Sequence, residues 1–108
     1  VLIYGQSTAG MNDKAPLMWE KSVMPIAWTK RYQIEGGQPG MAFASTLGAS
    51  LDFQSEDMRR LVLNASFWLL EMSDVITPDL NVDFVGEYNP TKFGFDTFRK
   101  GMNVDDFK

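Results

Sequence analysis

Residues 45–52, Ser-Thr-Leu-Gly-Ala-Ser-Leu-Asp, gather the hydroxyls of Ser45, Thr46 and Ser50 and the carboxylate of Asp52 around Gly48. Hydroxyls donate and accept hydrogen bonds and a carboxylate accepts them, which is the complement a polyol such as a sugar requires. Upstream, Trp28 offers a flat apolar ring on which a sugar face can stack. The same residues also have structural uses. Gly48 can turn the chain, Asp52 or Ser55 can cap a helix, and an aromatic within a strand can fill a core.

The absent residue types narrow the chemistry further. The 108 residues include no Cys and no His. Without Cys there is no thiolate nucleophile, disulfide or thiolate metal ligand, and without His the commonest general base and zinc ligand is missing. No metal site and no cofactor motif is read from these residues, and a Ser-His-Asp or Cys-His arrangement cannot be assembled from them. Fourteen acidic against ten basic residues give a net charge of -4, with no basic cluster to follow a phosphate backbone, so nucleic acid is not an expected partner. No apolar run is long enough to span a bilayer. The opening Val-Leu-Ile-Tyr reads as a strand entered partway, and hence as part of a longer protein.

These candidate residues need elements to position them. Val1, Leu2, Ile3 and Tyr4, closed by Gly5, read as a short strand. Residues 6–20, rich in Gly, Asn, Asp, Lys and Pro, read as an irregular loop whose Met11, Leu17, Met18 and Trp19 tuck against the core. Residues 24–32 and 41–47 read as strands joined by the polar turn Glu-Gly-Gly-Gln-Pro-Gly, a hairpin or an adjacent pair. On the second, Ala42, Ala44 and Thr46 leave one face small enough for a helix or a ligand to approach. Ser55 then serves as N-cap, with Glu56 and Asp57 favourably placed at the positive end of the helix dipole. Met58, Leu61, Val62, Ala65, Trp68, Leu69 and Met72 recur at spacings of three and four, the signature of an amphipathic helix. Arg59 and Arg60 are expected to pair with Glu56, Asp57 or the chain beyond the helix. Asn64-Ala65-Ser66 has the form of a glycosylation sequon but falls inside that helix, where it is discounted.

Three ordered motifs carry a family resemblance: Met-Pro-Ile-Ala-Trp-Thr-Lys at 24–30, Gly-Met-Ala-Phe-Ala-Ser-Thr-Leu-Gly at 40–48 and Arg-Arg-Leu-Val-Leu-Asn-Ala-Ser-Phe-Trp at 59–68. In this order they resemble the C-terminal part of the ThuA-like (trehalose utilisation) family, within the class I glutamine amidotransferase-like superfamily. The stretch 81–95 resembles an extension found in some of its members. The resemblance implies an α/β fold, the C-terminal part of a flavodoxin-like, mainly parallel sheet with flanking helices, plus an extended C-terminal arm. It divides the chain into residues 1–76, the C-terminal part of a ThuA-like domain, and residues 77–108, an arm packing on the same domain. Where many ThuA-like proteins carry His after the strand-end Gly, this chain has Ala49, so glutamine hydrolysis is not expected.

Two functions follow as expectations. One is a role in carbohydrate utilisation, with a trehalose-type sugar bound at the strand-end turn and the site completed by residues upstream. The other is a non-catalytic module that binds a carbohydrate or a protein through a degraded amidotransferase-like site. Trp28, Ser45, Thr46, Gly48, Ser50 and Asp52 are the substrate-binding candidates in either case. A small carbohydrate and a second copy of the chain are the expected partners.

Overall fold

The computed structural model describes residues 1–12, 14–98 and 100–107. Its centre is a hairpin of β2, Met24–Gln33, and β3, Pro39–Ser45, paired antiparallel from Ala27 opposite Ser45 to Gln33 opposite Pro39. The link is only residues 34–38, closed by Gly37 N–H donating to Ile34 O at 2.8 Å. Gly36 takes φ 74°, a left-handed conformation that costs glycine little. On the other side of β2 lies β1, Ile3–Gly5, also antiparallel, with a register irregularity between Ile3 and Tyr4. Leu2 N–H extends this ladder to Ala27 O at 2.8 Å.

Among the described residues the sheet therefore has three strands in the order β1-β2-β3, each neighbouring pair antiparallel, and it is covered by a single α-helix. This corrects the expectation of a flavodoxin-like parallel sheet with flanking helices. Parallel neighbours need a crossover of a dozen or more residues, usually helical. Here the β2–β3 link is too short, and the described residues among 6–23, between β1 and β2, form no helix. That loop is held by its own bonds, with the Gln6 amide donating to Met18 O at 2.6 Å and Lys21 O at 3.1 Å. Of the four apolar residues expected to tuck in, Met18 alone is half-buried. Met11, Leu17 and Trp19 are exposed rather than tucked against the core.

The helix α1, Glu56–Leu69, begins at Ser55, whose Oγ accepts from Met58 N–H at 3.4 Å. Its inner face buries Met58 and Ala65. Register places Ala27, Thr29 and Arg31 on one sheet face with Ser45, Phe43 and Met41, and this is the face α1 covers: Thr29 and Phe43 share a cavity wall with Leu61 and Trp68. The Arg31 guanidinium lies 6.0 Å from the Trp68 ring centroid. The small-residue face of β3 was the expected seat of a helix, and the structure reverses this. Ala42 and Ala44 stand opposite Lys30 and Trp28 on the face turned away from α1.

The arm, the described residues of 77–103, forms no strand or helix before a short 3-10 turn at Val104–Phe107. It is fastened near its start, where Val82 is buried, Arg59 Nε donates to Val82 O at 2.7 Å and Arg60 Nη1 to Leu80 O at 3.0 Å. Beyond that, Val85, Phe93, Phe95 and Phe98 are exposed. The buried hydrophobic set among the described residues is small: Ala27, Met58, Ala65 and Val82. The surface of 9306 Å² exceeds the roughly 6,000 Å² typical of a folded chain of 12.2 kDa. The radius of gyration, 17.8 Å, likewise exceeds the usual value of about 13 Å. One polar atom in the interior, Asn64 Oδ1, is buried with no hydrogen-bond partner among the described residues, a situation that costs about 1–3 kcal/mol.

Candidate functional site

The turn after β3 is built around Asp52. Its Oδ2 accepts from the N–H groups of Gly48 and Ala49, both at 2.9 Å, and its own N–H donates to Ala49 O at 2.9 Å. Gly48 sits at φ 136°, a region side-chain-bearing residues rarely enter. A 3-10 turn, Ser50–Gln54, leads from there into the α1 cap. Asp52 therefore fastens the turn through one oxygen, while Oδ1 makes no hydrogen bond to the described residues.

Two of the six sequence candidates meet at a cavity. Ser50 and Asp52 line a space of about 500 Å³ whose other wall is the arm, with Thr91, Lys92, Phe93, Thr97 and Phe98. The arm is tied there at both ends of Ser50: Tyr88 Oη donates to Ser50 O at 2.6 Å, and Ser50 Oγ donates to Thr91 O at 3.2 Å. Phe93 and Phe98 remain 79% and 68% exposed, so their rings are open to a ligand. Asp52 also lines a second space of about 300 Å³, with Ile3, Leu47, Ser55, Asp57 and Met58, between β1 and the start of α1.

The other four candidates are placed elsewhere. Ser45 Oγ accepts from Leu47 N–H at 3.0 Å, and Thr46 extends the ladder through its N–H to Ile26 O at 2.9 Å. Gly48 supplies conformation and an N–H to Asp52. Trp28 lies on the sheet face away from α1, half-buried beside Ala44, and lines neither cavity at the turn. The aromatic rings that line the cavity at the turn are therefore those of Phe93 and Phe98, not that of Trp28.

Charges beside the site are arranged mainly to hold the arm. Arg59 Nη1 donates to Phe53 O at 2.8 Å and Gln54 O at 2.9 Å, and its guanidinium lies 4.3 Å from the Phe84 ring centroid. Phe84 in turn stacks on Tyr88, with centroids 4.5 Å apart. Arg60 bonds Glu56 at 2.9 Å, one turn back on the helix. That hydrogen bond, then the Arg60 charge, holds the Glu56 carboxyl below the usual range, with a smaller contribution from Arg59. Among the described residues, no group of three or more Asp, Glu, His or Cys is placed to hold a metal ion, and no helix is long and apolar enough to cross a membrane.

With this geometry in hand, comparison with known proteins adds no relative: no family model, no curated protein and no solved structure matches the chain.

Sequence reasoning missed the arm's share of the site. Thr91, Lys92, Phe93, Thr97 and Phe98 follow no helical or strand period, and in the sequence they belong only to an arm expected to pack on the domain. Their mixture of hydroxyl, cation and aromatic within eight positions was the available signal.

Proposed function

We propose that the chain serves carbohydrate utilisation in the ThuA-like manner its three motifs suggest, and that it does so by binding a sugar where the arm crosses the turn after β3. The observation that carries this reading is the cavity joining Ser50 and Asp52 to the arm. It combines the residue classes a sugar requires. Asp52 Oδ1 accepts from a hydroxyl, Lys92 donates, Ser50 Oγ retains acceptor capacity, and Phe93 or Phe98 covers the apolar ring face. A volume of about 500 Å³ suits one or two sugar rings.

Binding without turnover is the version the geometry favours. Canonical glycoside hydrolysis uses two carboxyl groups flanking the bond, and Asp52 is the only carboxylate among the lining residues, with one of its oxygens committed to the turn. Self-association accompanies binding in this proposal. It is supported by the outer edge of β3, where the N–H and C=O groups of Met41, Phe43 and Ser45 point away from β2 and no charge occurs between Glu35 and Asp52.

Titration with trehalose, followed by amide chemical shifts, tests the sugar site. Movement of Ser50, Asp52, Lys92 and Phe93 signals is expected, and Phe93→Ala with Phe98→Ala should abolish it without unfolding the hairpin. Trehalose and glucose both leaving these signals unmoved would overturn the reading.

A further inference from the structure

Between α1 and the sheet lies a cavity of about 310 Å³ walled by Leu2, Phe43, Leu61 and Trp68, with Thr29 and Asn64 as its polar members. It is separate from the sugar cavity, shares no lining residue with it and carries no ionisable side chain.

Asn64 is the informative residue. It occupies the inner stripe of the helix, between Leu61, Ala65 and Trp68, where packing alone favours an aliphatic side chain. Asparagine is also a poorer helix former than leucine. Its Oδ1 is buried and has no partner among the described residues, and buried polar atoms in folded proteins nearly always have one. A single water occupies only about 30 Å³ of bulk liquid volume, far less than this space, and would leave most of the apolar wall uncovered. The volume and the composition, largely apolar with a few polar groups, match those of small-molecule sites.

We infer that this cavity binds a small, neutral, aromatic molecule that donates one hydrogen bond to Asn64 Oδ1. Neutrality follows from the absence of a charged lining group, since a buried unpaired charge is costly. A flat aromatic ligand suits a wall containing the Phe43 and Trp68 rings, which gain from offset or edge-on ring contacts. The single donor follows from the single buried acceptor without a partner among the described residues.

Indole and 1-methylindole are the probes, because they share a ring system and only the first has an N–H. In the unaltered chain, titration followed by amide chemical shifts should show indole moving the Leu61, Asn64 and Trp68 signals, with 1-methylindole binding about tenfold more weakly through loss of one hydrogen bond. Asn64→Leu, similar in size but without the acceptor, should bind both equally. Failure of indole to move those signals, equal affinity of the two probes for the unaltered chain, or a preference that survives Asn64→Leu would each overturn the inference. The first two comparisons use the unaltered chain and do not depend on the variant folding. Trehalose binding at the arm is read on different signals, so either site can fail alone.

Discussion

Asp52 holds Gly48 in place: one carboxylate oxygen accepts the N–H groups of Gly48 and Ala49 at 2.9 Å each, and Gly48 is thereby kept at φ 136°. A side chain that the sequence offers as a substrate-binding candidate acts first as a fastening. Asp52→Ala should lower unfolding free energy by about 1–3 kcal/mol, while Asp52→Asn, which keeps a carbonyl acceptor, should lose much less. Urea denaturation of the two variants checks this, and equal losses would show that the hydrogen bonds are not what holds the turn.

The Glu56–Arg60 pair gives a direction for acid sensitivity. The folded carboxyl titrates below its ordinary value, so its contribution is present above about pH 4.3 and is lost as pH falls through the lower folded value. Glu56→Gln should flatten that part of the acid limb. Because the pair is exposed, the effect should be small and should shrink in high salt. Thermal midpoints measured across the acid limb at two salt concentrations test it.

Arg60 reaches Pro78 O and Leu80 O through Nη1 while Nη2 holds Glu56, a fork that lysine cannot reproduce. Arg60→Lys should therefore release the start of the arm although the charge is kept. Limited proteolysis should cut faster within residues 77–90 of this variant, with the hairpin signals unchanged. Unaltered cleavage would mean that Arg59 and Val82 suffice.

The outer edge of β3 should make the protein associate as its concentration rises. Ala42→Glu introduces an edge charge on the face away from α1, directly opposite Lys30, so it discourages strand addition while favouring the hairpin. Sedimentation velocity should show a concentration-dependent species for the unaltered chain that is weakened in this variant. A single monomeric boundary for both at all concentrations would count against edge pairing.

What was legible in the sequence was local. The spacing of Met58, Leu61, Ala65 and Trp68 and the cap at Ser55 specified α1, and the Gly-rich link specified the hairpin, because each depends on residues a few positions apart. The parallel sheet was implied by the family resemblance alone, while the short 34–38 link already required antiparallel pairing of β2 and β3. The face of β3 that α1 covers was also not legible. A two-residue alternation separates two faces without saying which is buried, and Phe43 rather than the alanines met the helix. The arm's contacts with the turn, such as Tyr88 with Ser50, join residues 38 positions apart and leave no periodic trace. Asn64 did leave one, as a polar residue interrupting an apolar stripe.

Arg59 and Arg60 hold the arm by the carbonyl oxygens of residues 78, 80 and 82, across a turn in which Leu80 N–H donates to Thr77 O at 3.2 Å. Carbonyl groups are common to all amino acids, so this clasp reads spacing and is blind to side-chain identity. The arm can therefore accept many replacements at Pro78, Asp79 and Leu80 over evolutionary time. Insertion or deletion of one residue there is a different matter, since it would displace these carbonyls from the two arginines and shift Tyr88 and Thr91 off Ser50. Length, more than composition, is the inherited property of this segment.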